Sequence, residues 1–167
     1  MSKSPIAASF AEVVRVVADS LSSEGFTRRG SLFVIENQGN RGVVEFQKSA
    51  ANSPQELRFT INIGVIVGAL VDPGASGQTS TMDAHVRQRI GGLLPGRPDM
   101  WWKIGVETDA DALGEELATT ISRVAVPFVK RYLSTTEVVR LWEAGTSPGL
   151  TAGQRARLLE RLRTSLR

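Results

Sequence analysis

The sequence predicts an α+β fold: an antiparallel meander sheet of about five strands, helices packed on one face, and extra helices at the C-terminus. Three observations predict it. Apolar residues recur at helical spacing towards both ends of the chain. They alternate with polar residues through the middle. Short turn-forming stretches, not helices, separate the alternating segments. Strands joined in this way pair antiparallel, whereas a parallel nucleotide-binding sheet needs a long crossover between strands.

Ser4 before Pro5 marks a helix start, because Ser caps free N–H groups and Pro suits the first turn. Phe10, Val13, Val14, Val17 and Leu21 then form one apolar stripe, and Gly25 supplies a left-handed stop. The stretch "RRGSLFVIE" (28–36) reads as the first strand and "NQGN" (37–40) as its turn. In "RGVVEFQKS" (41–49), Val44 and Phe46 alternate with Glu45 and Gln47. The clearest strand is "LRFTINIGVIV" (57–67), with Leu57, Phe59, Ile61, Ile63 and Val65 opposite Arg58, Thr60 and Asn62. Residues 68–80, rich in Gly, Ser and Asp, read as a mobile loop.

"DAHVRQRIG" (83–91) sets His85, Arg87 and Arg89 against Val86 and Ile90. The span "RIGGLLPGRPDMWWKI" (89–104) reads as a well-punctuated turn ending in a short strand from Trp101 to Ile104. Alternation then sends one Trp to the core and the other to the polar side. Leu113, Leu117, Ile121, Val124, Phe128 and Tyr132 predict a helix over 109–132 with a bend at Pro127. A shorter helix over 135–144 stops at Gly145, and Thr151 with Gln154 makes a capping box for the last helix. Residues 1–133 thus form the α+β domain and residues 134–167 a C-terminal helical extension.

The bulk numbers narrow the function classes. At 167 residues, 41% hydrophobic and 22% charged, the chain reads as a soluble globular domain. Without Cys there is no thiolate nucleophile and no thiolate metal site, and one His precludes a two-His relay. The longest apolar stretch is too short for a membrane span. Glu12, Arg15 and Asp19 interrupt what a signal peptide keeps apolar, so the expected location is cytoplasmic, with no membrane partner. The net charge is +3, and residues 155–167 alone hold five Arg against Glu160. Basicity therefore belongs to one terminal helix, so nucleic acid is not an expected partner except through that helix. No metal and no cofactor is expected: Asp109, Asp111, Glu115 and Glu116 sit where a helix dipole favours negative charge.

Several pieces recur in a fixed order: Phe10, "EGF" (24–26) with two arginines after it, "VEFQKS" (44–49), "FTINIGV" (59–65), "HVRQRIGGLLPG" (85–96), "WW" and "VPF" (126–128). Together they resemble the bacterial family catalogued as domain of unknown function 4304, over roughly residues 8 to 132. The resemblance implies an α+β domain and offers no catalytic residue to carry over.

Alternation assigns Glu45, Gln47, Arg58, Thr60, Asn62, His85, Arg87 and Arg89 to one polar sheet face. The bland expectation is a hydrated face with ordinary mixed charges. The functional expectation is a ligand or partner surface at Gln47, Asn62, His85, Arg87, Arg89, Trp101 and Trp102. There, cations and amides hold an anion and an indole stacks or docks. The protein then acts by binding another protein or a small anionic ligand. One specific version is an immunity or accessory factor in a bacterial toxin or defence system. The alternative is a hydrolase or phosphoryl-transfer enzyme centred on His85, Arg87 and Arg89, with Gln47 beside them. The lack of a recognisable nucleophile motif counts against it.

Overall fold

A computed structural model describes residues 3–75 and 79–167. The order is α1 (Pro5–Ser23), β1 (Thr27–Arg29), β2 (Leu32–Asn37), β3 (Asn40–Lys48), β4 (Leu57–Ile66), β5 (Val86–Arg89), β6 (Trp102–Ile104), α2 (Ala110–Thr120), α3 (Val126–Tyr132), α4 (Thr135–Glu143) and α5 (Ala152–Ser165). All sheet pairs are antiparallel. Strands β1 to β5 lie in chain order, and β6 joins β5 along the same edge of β4.

The local signals act as their chemistry dictates. The Ser4 hydroxyl accepts from the Ala7 N–H at the start of α1, and Asp109 does the same for Ala112 at the start of α2. Thr151 and Gln154 form the reciprocal capping box of α5. Gln38 and Gly39 both take positive φ, so Asn37 pairs with Asn40 across a two-residue hairpin whose twist suits the strands.

One strand differs from expectation. The strand expected over 28–36 is a hairpin: the chain reverses at Gly30–Ser31, where Gly30 takes φ 63°, and Arg29 pairs with Leu32. The helix expected across Pro127 is present, and Ile121–Ala125 widens into a π turn just before it, between α2 and α3. Pro lacks the N–H that an α-turn needs and crowds the carbonyl four residues back, and a wider turn absorbs both defects. Residues 76–78 of the expected mobile loop lie outside the described residues. The ends of that loop carry single 3₁₀ turns, Gly68–Leu70 and Thr81–Asp83.

Phe33, Val44, Phe46, Phe59, Ile61 and Ile63 meet the stripe of α1 and residues Leu117, Ile121 and Val129 of the later helical run. At its centre Phe10 stands edge-on to Phe46 and Phe59, with centroids 6.0 and 5.5 Å away, and Phe59 stacks on Trp102 at 5.9 Å. Further along the same face, Val65, Val67 and Val86 pack with Tyr132, Val138, Trp142, Leu159 and Leu162. The helices after residue 133 therefore cover the far end of β4 and β5. Asn40 ties the two regions: its buried amide donates to the Leu133 carbonyl and Thr135 hydroxyl and accepts from the Gly68 N–H.

This packing makes the terminal helix a structural element with a measurable share of stability. Leu162 is fully buried and Leu166 is exposed. Leu162→Ala is expected to cost about 2–5 kcal/mol in urea unfolding. Leu166→Ala in the same assay should stay within about 0.5 kcal/mol.

Candidate functional site

The β3–β4–β5 register decides which side chains meet. Glu45 pairs with Asn62 and Asn62 with Arg89; Gln47 pairs with Thr60, and Gly64 with Arg87. These residues share the face opposite Phe46, Ile61 and Ile63, as the alternation predicts.

That face is not open along its whole length. The segment 79–84 crosses it, and Thr79, Thr81 and Ala84 are buried there. A β-carbon on Gly64 would sit 2.5 Å from the Ala84 Cβ, so the crossing requires a residue without a side chain at that point. Glu45 anchors the crossing. Its carboxylate accepts from the Thr81 N–H at 3.0 Å and from the hydroxyls of Thr81 and Ser80. A Ser80/Asp83 capping box shapes the turn itself. Glu45 is thus a strut under a turn. The "STMD" pattern at 80–83 is the sequence signal that could have announced it.

Beyond the crossing lies a hollow of about 510 Å³, lined by Gln47, Asn62, Thr81, Met82, Arg87 and Arg89 together with Ile63, Gln88 and Gly149. None of these lining residues is acidic. A second hollow of about 570 Å³ adjoins it, sharing Gln47, Asn62, Thr81 and Met82. The Asn62 amide donates to Gln47 Oε1 at 2.6 Å, which leaves the Gln47 amino group to face other partners. Met82, at 78% exposure, stands on the rim of both hollows.

Both arginines are held from the side. The Arg87 guanidinium donates to the Gly149 carbonyl at 2.7 Å, and the Arg87 N–H donates to Pro148 O at 3.0 Å. The linker before α5 thus runs beside β5. Arg89 donates to Asp99 at 2.7 Å and lies 5.3 Å from the centroid of the Trp101 ring, whose indole N–H donates to the same carboxylate at 3.2 Å. The Arg89 hydrogen bond, with that of Trp101 second, holds the Asp99 carboxyl below its usual range. Each arginine keeps further N–H donors beyond these contacts.

The two tryptophans separate as alternation requires. Trp101 is half-buried beside Arg89, and Trp102 is in the core against Phe59, with its indole nitrogen buried and unpartnered. Trp102 therefore leaves the candidate surface. His85 also stands apart, since it lines neither of these hollows. Its Nδ1 accepts from the Val67 N–H at 3.0 Å, while the His85 backbone N–H donates to Val65 O. Burial, and then the charge of Arg161, hold the imidazole below its ordinary value, against weaker pulls from Asp72 and Asp83. Sequence reasoning missed Asp99, Met82 and Gly149, which lie in segments read only as loop punctuation or linker. Among the described residues no group of three His, Asp or Glu side chains could hold a metal ion. None of the described helices is long and apolar enough to cross a membrane.

A family described as a domain of unknown function, DUF4304, matches residues 17–131. No curated protein and no solved structure matches the chain.

Folding depresses the His85 pKa, so the unfolded chain takes up its proton first on acidification. Stability is then whole above the ordinary value of about 6.5 and falls as pH drops through it towards the folded value. His85 is the one His of the chain. In urea melts between roughly pH 5 and 6.5, wild type should lose stability with acid and His85→Asn should not. A slope shared by both proteins would contradict the assignment.

Proposed function

The chain belongs to the DUF4304 family, and from that premise we propose that it is a binding module whose polar sheet face engages an anionic group of a protein or a small ligand. One observation carries the reading: Arg87 and Arg89 line one hollow with the amides of Gln47 and Asn62, and no carboxylate lines it. Such a surface is rich in donors and short of acceptors, and an incoming carboxylate or phosphate supplies what it lacks. Each guanidinium is already restrained by a side contact, which lowers the entropy lost on binding. Met82 and Trp101 add the apolar contact that partner surfaces favour. In the narrower version, an immunity or accessory factor, the partner is a toxin or defence protein.

The arginines of α5 support a different role for the basic tail. Arg155 donates to Gly145 O, Arg161 to Leu70 O and Asp72, and Arg163 to Glu143, so three of them fasten the helix to the chain. The position of His85, turned towards Val67 and outside the hollow, favours binding over catalysis.

The test ranks variants. A partner or anion captured by the wild-type chain should bind Arg87→Ala/Arg89→Ala roughly tenfold or more weakly, with stability changed by only about 1 kcal/mol. His85→Asn should bind as wild type does. Turnover in a hydrolase or phosphotransfer screen that vanishes in His85→Asn would replace the binding reading with an enzymatic one.

A further inference from the structure

The strand edge of β4 is divided between β5 and β6, and the loop that connects them carries a carboxylate to Arg89, which lines the hollow. Asp99 offers one oxygen to Arg89 and the other to the Trp101 indole, while the guanidinium lies against the indole ring. Arg89 and Trp101 thus form a clamp already fitted to the two oxygens of a carboxylate. Its resident occupant is two-thirds exposed. We propose that Asp99 is an internal placeholder, and that an acidic side chain from a protein partner takes its place in the Arg89–Trp101 clamp. This rests on the reading of the polar face as a binding surface.

Three features make the exchange physically cheap and point to a protein as its source. The loop backbone is pinned on both sides of Asp99. A β-carbon on Gly91 would lie 1.9 Å from Pro98 O, so those backbones are in close contact, and Thr60 donates to Met100 O at 2.7 Å. The carboxylate therefore turns away by side-chain rotation alone, with no loop to reorder. Exposed Arg–carboxylate pairs are weak, because water serves both partners nearly as well. Arg89 of the clamp lines the first hollow with Met82 and Arg87, and Met, Arg and Trp are side chains enriched where proteins meet; the hollows extend beside it across β3 to β5. A charge-bearing segment laid along the first hollow reaches Arg89 and Arg87 together, and no carboxylate lines that hollow; Glu45, which lines the second, is taken up by Thr81 and Ser80.

The three indoles make the test specific. Trp102 and Trp142 have buried indole nitrogens without partners, so their N–H signals act as internal controls for Trp101. The full chain, labelled with ¹⁵N, is titrated with a short peptide of alternating Glu and Val, with its Gln–Val counterpart, and with inorganic phosphate. The Glu–Val peptide should shift the Trp101 indole and the amides of Asn62, Arg87 and Arg89, and leave the other two indoles in place. Asp99→Asn, which weakens the placeholder without shortening it, should bind that peptide up to about fivefold more tightly. Unchanged or weaker binding by Asp99→Asn would overturn the placeholder and make Asp99 a positioning residue for Arg89. Shifts on the sheet face without the Trp101 indole would also overturn the clamp while leaving the binding face intact. An equal response to phosphate, or to the Gln–Val peptide, would overturn the acidic protein partner. Silence of the whole face towards every probe would remove the underlying binding reading with it.

Discussion

Strand β4 is the constraint on which the other elements depend. One edge pairs with β3 without interruption from Phe59 to Ile66, and the other is divided, with β6 along Leu57–Phe59 and β5 along Asn62–Val65. Pairing of this kind permits no slippage: one residue of shift would carry Phe59, Ile61 and Ile63 to the polar side and bring Thr60 and Asn62 under the helices. The divided edge also forces the chain out of the sheet after β5 and back in at β6. That excursion is why a loop carboxylate, an indole and a strand arginine converge at one point.

The two faces of the sheet contribute different things. On the helical side, large apolar side chains are removed from water against α1 to α5, and this burial carries the stability. On the polar side the contacts are ion pairs between exposed groups and hydrogen bonds, some of them to the buried Thr60 and Thr81, and each contributes little net free energy. Their value lies in placement. Glu45 fixes the turn that bounds the hollow, Gly149 and Asp99 hold the arginines, and Asn62 orients Gln47.

His85 shows how one residue type misleads when read by pattern. Alternation puts it on the side of Arg87, which is why the enzymatic alternative centres on it. Its ring instead bonds backwards to Val67, doing for the end of β4 what a strand carbonyl does elsewhere in the sheet. Trp102 illustrates the converse: pattern alone required one Trp of the pair to be buried, and the β6 register selected which.

By itself the sequence determined the caps of the first and last helices, the antiparallel order of strands and the side of the sheet taken by the alternating residues of β3, β4 and β5, such as Phe46 against Gln47 and Ile61 against Asn62. These follow from local chemistry and short periods, such as a hydroxyl before a Pro or a strand period of two, and are complete within a few residues. The family resemblance was likewise legible in ordered local pieces. The split of 28–36 was harder, because Gly30 serves a strand or a turn equally until its neighbours pair. Only the tertiary structure decided which polar groups meet. Arg89 finds Asp99 ten residues on, Glu45 finds Thr81 at a separation of 36, and Arg87 finds Gly149 at a separation of 62. No period links such pairs. They form because the packed core brings distant loops to one face, where charge and hydrogen-bond capacity choose among the groups within reach.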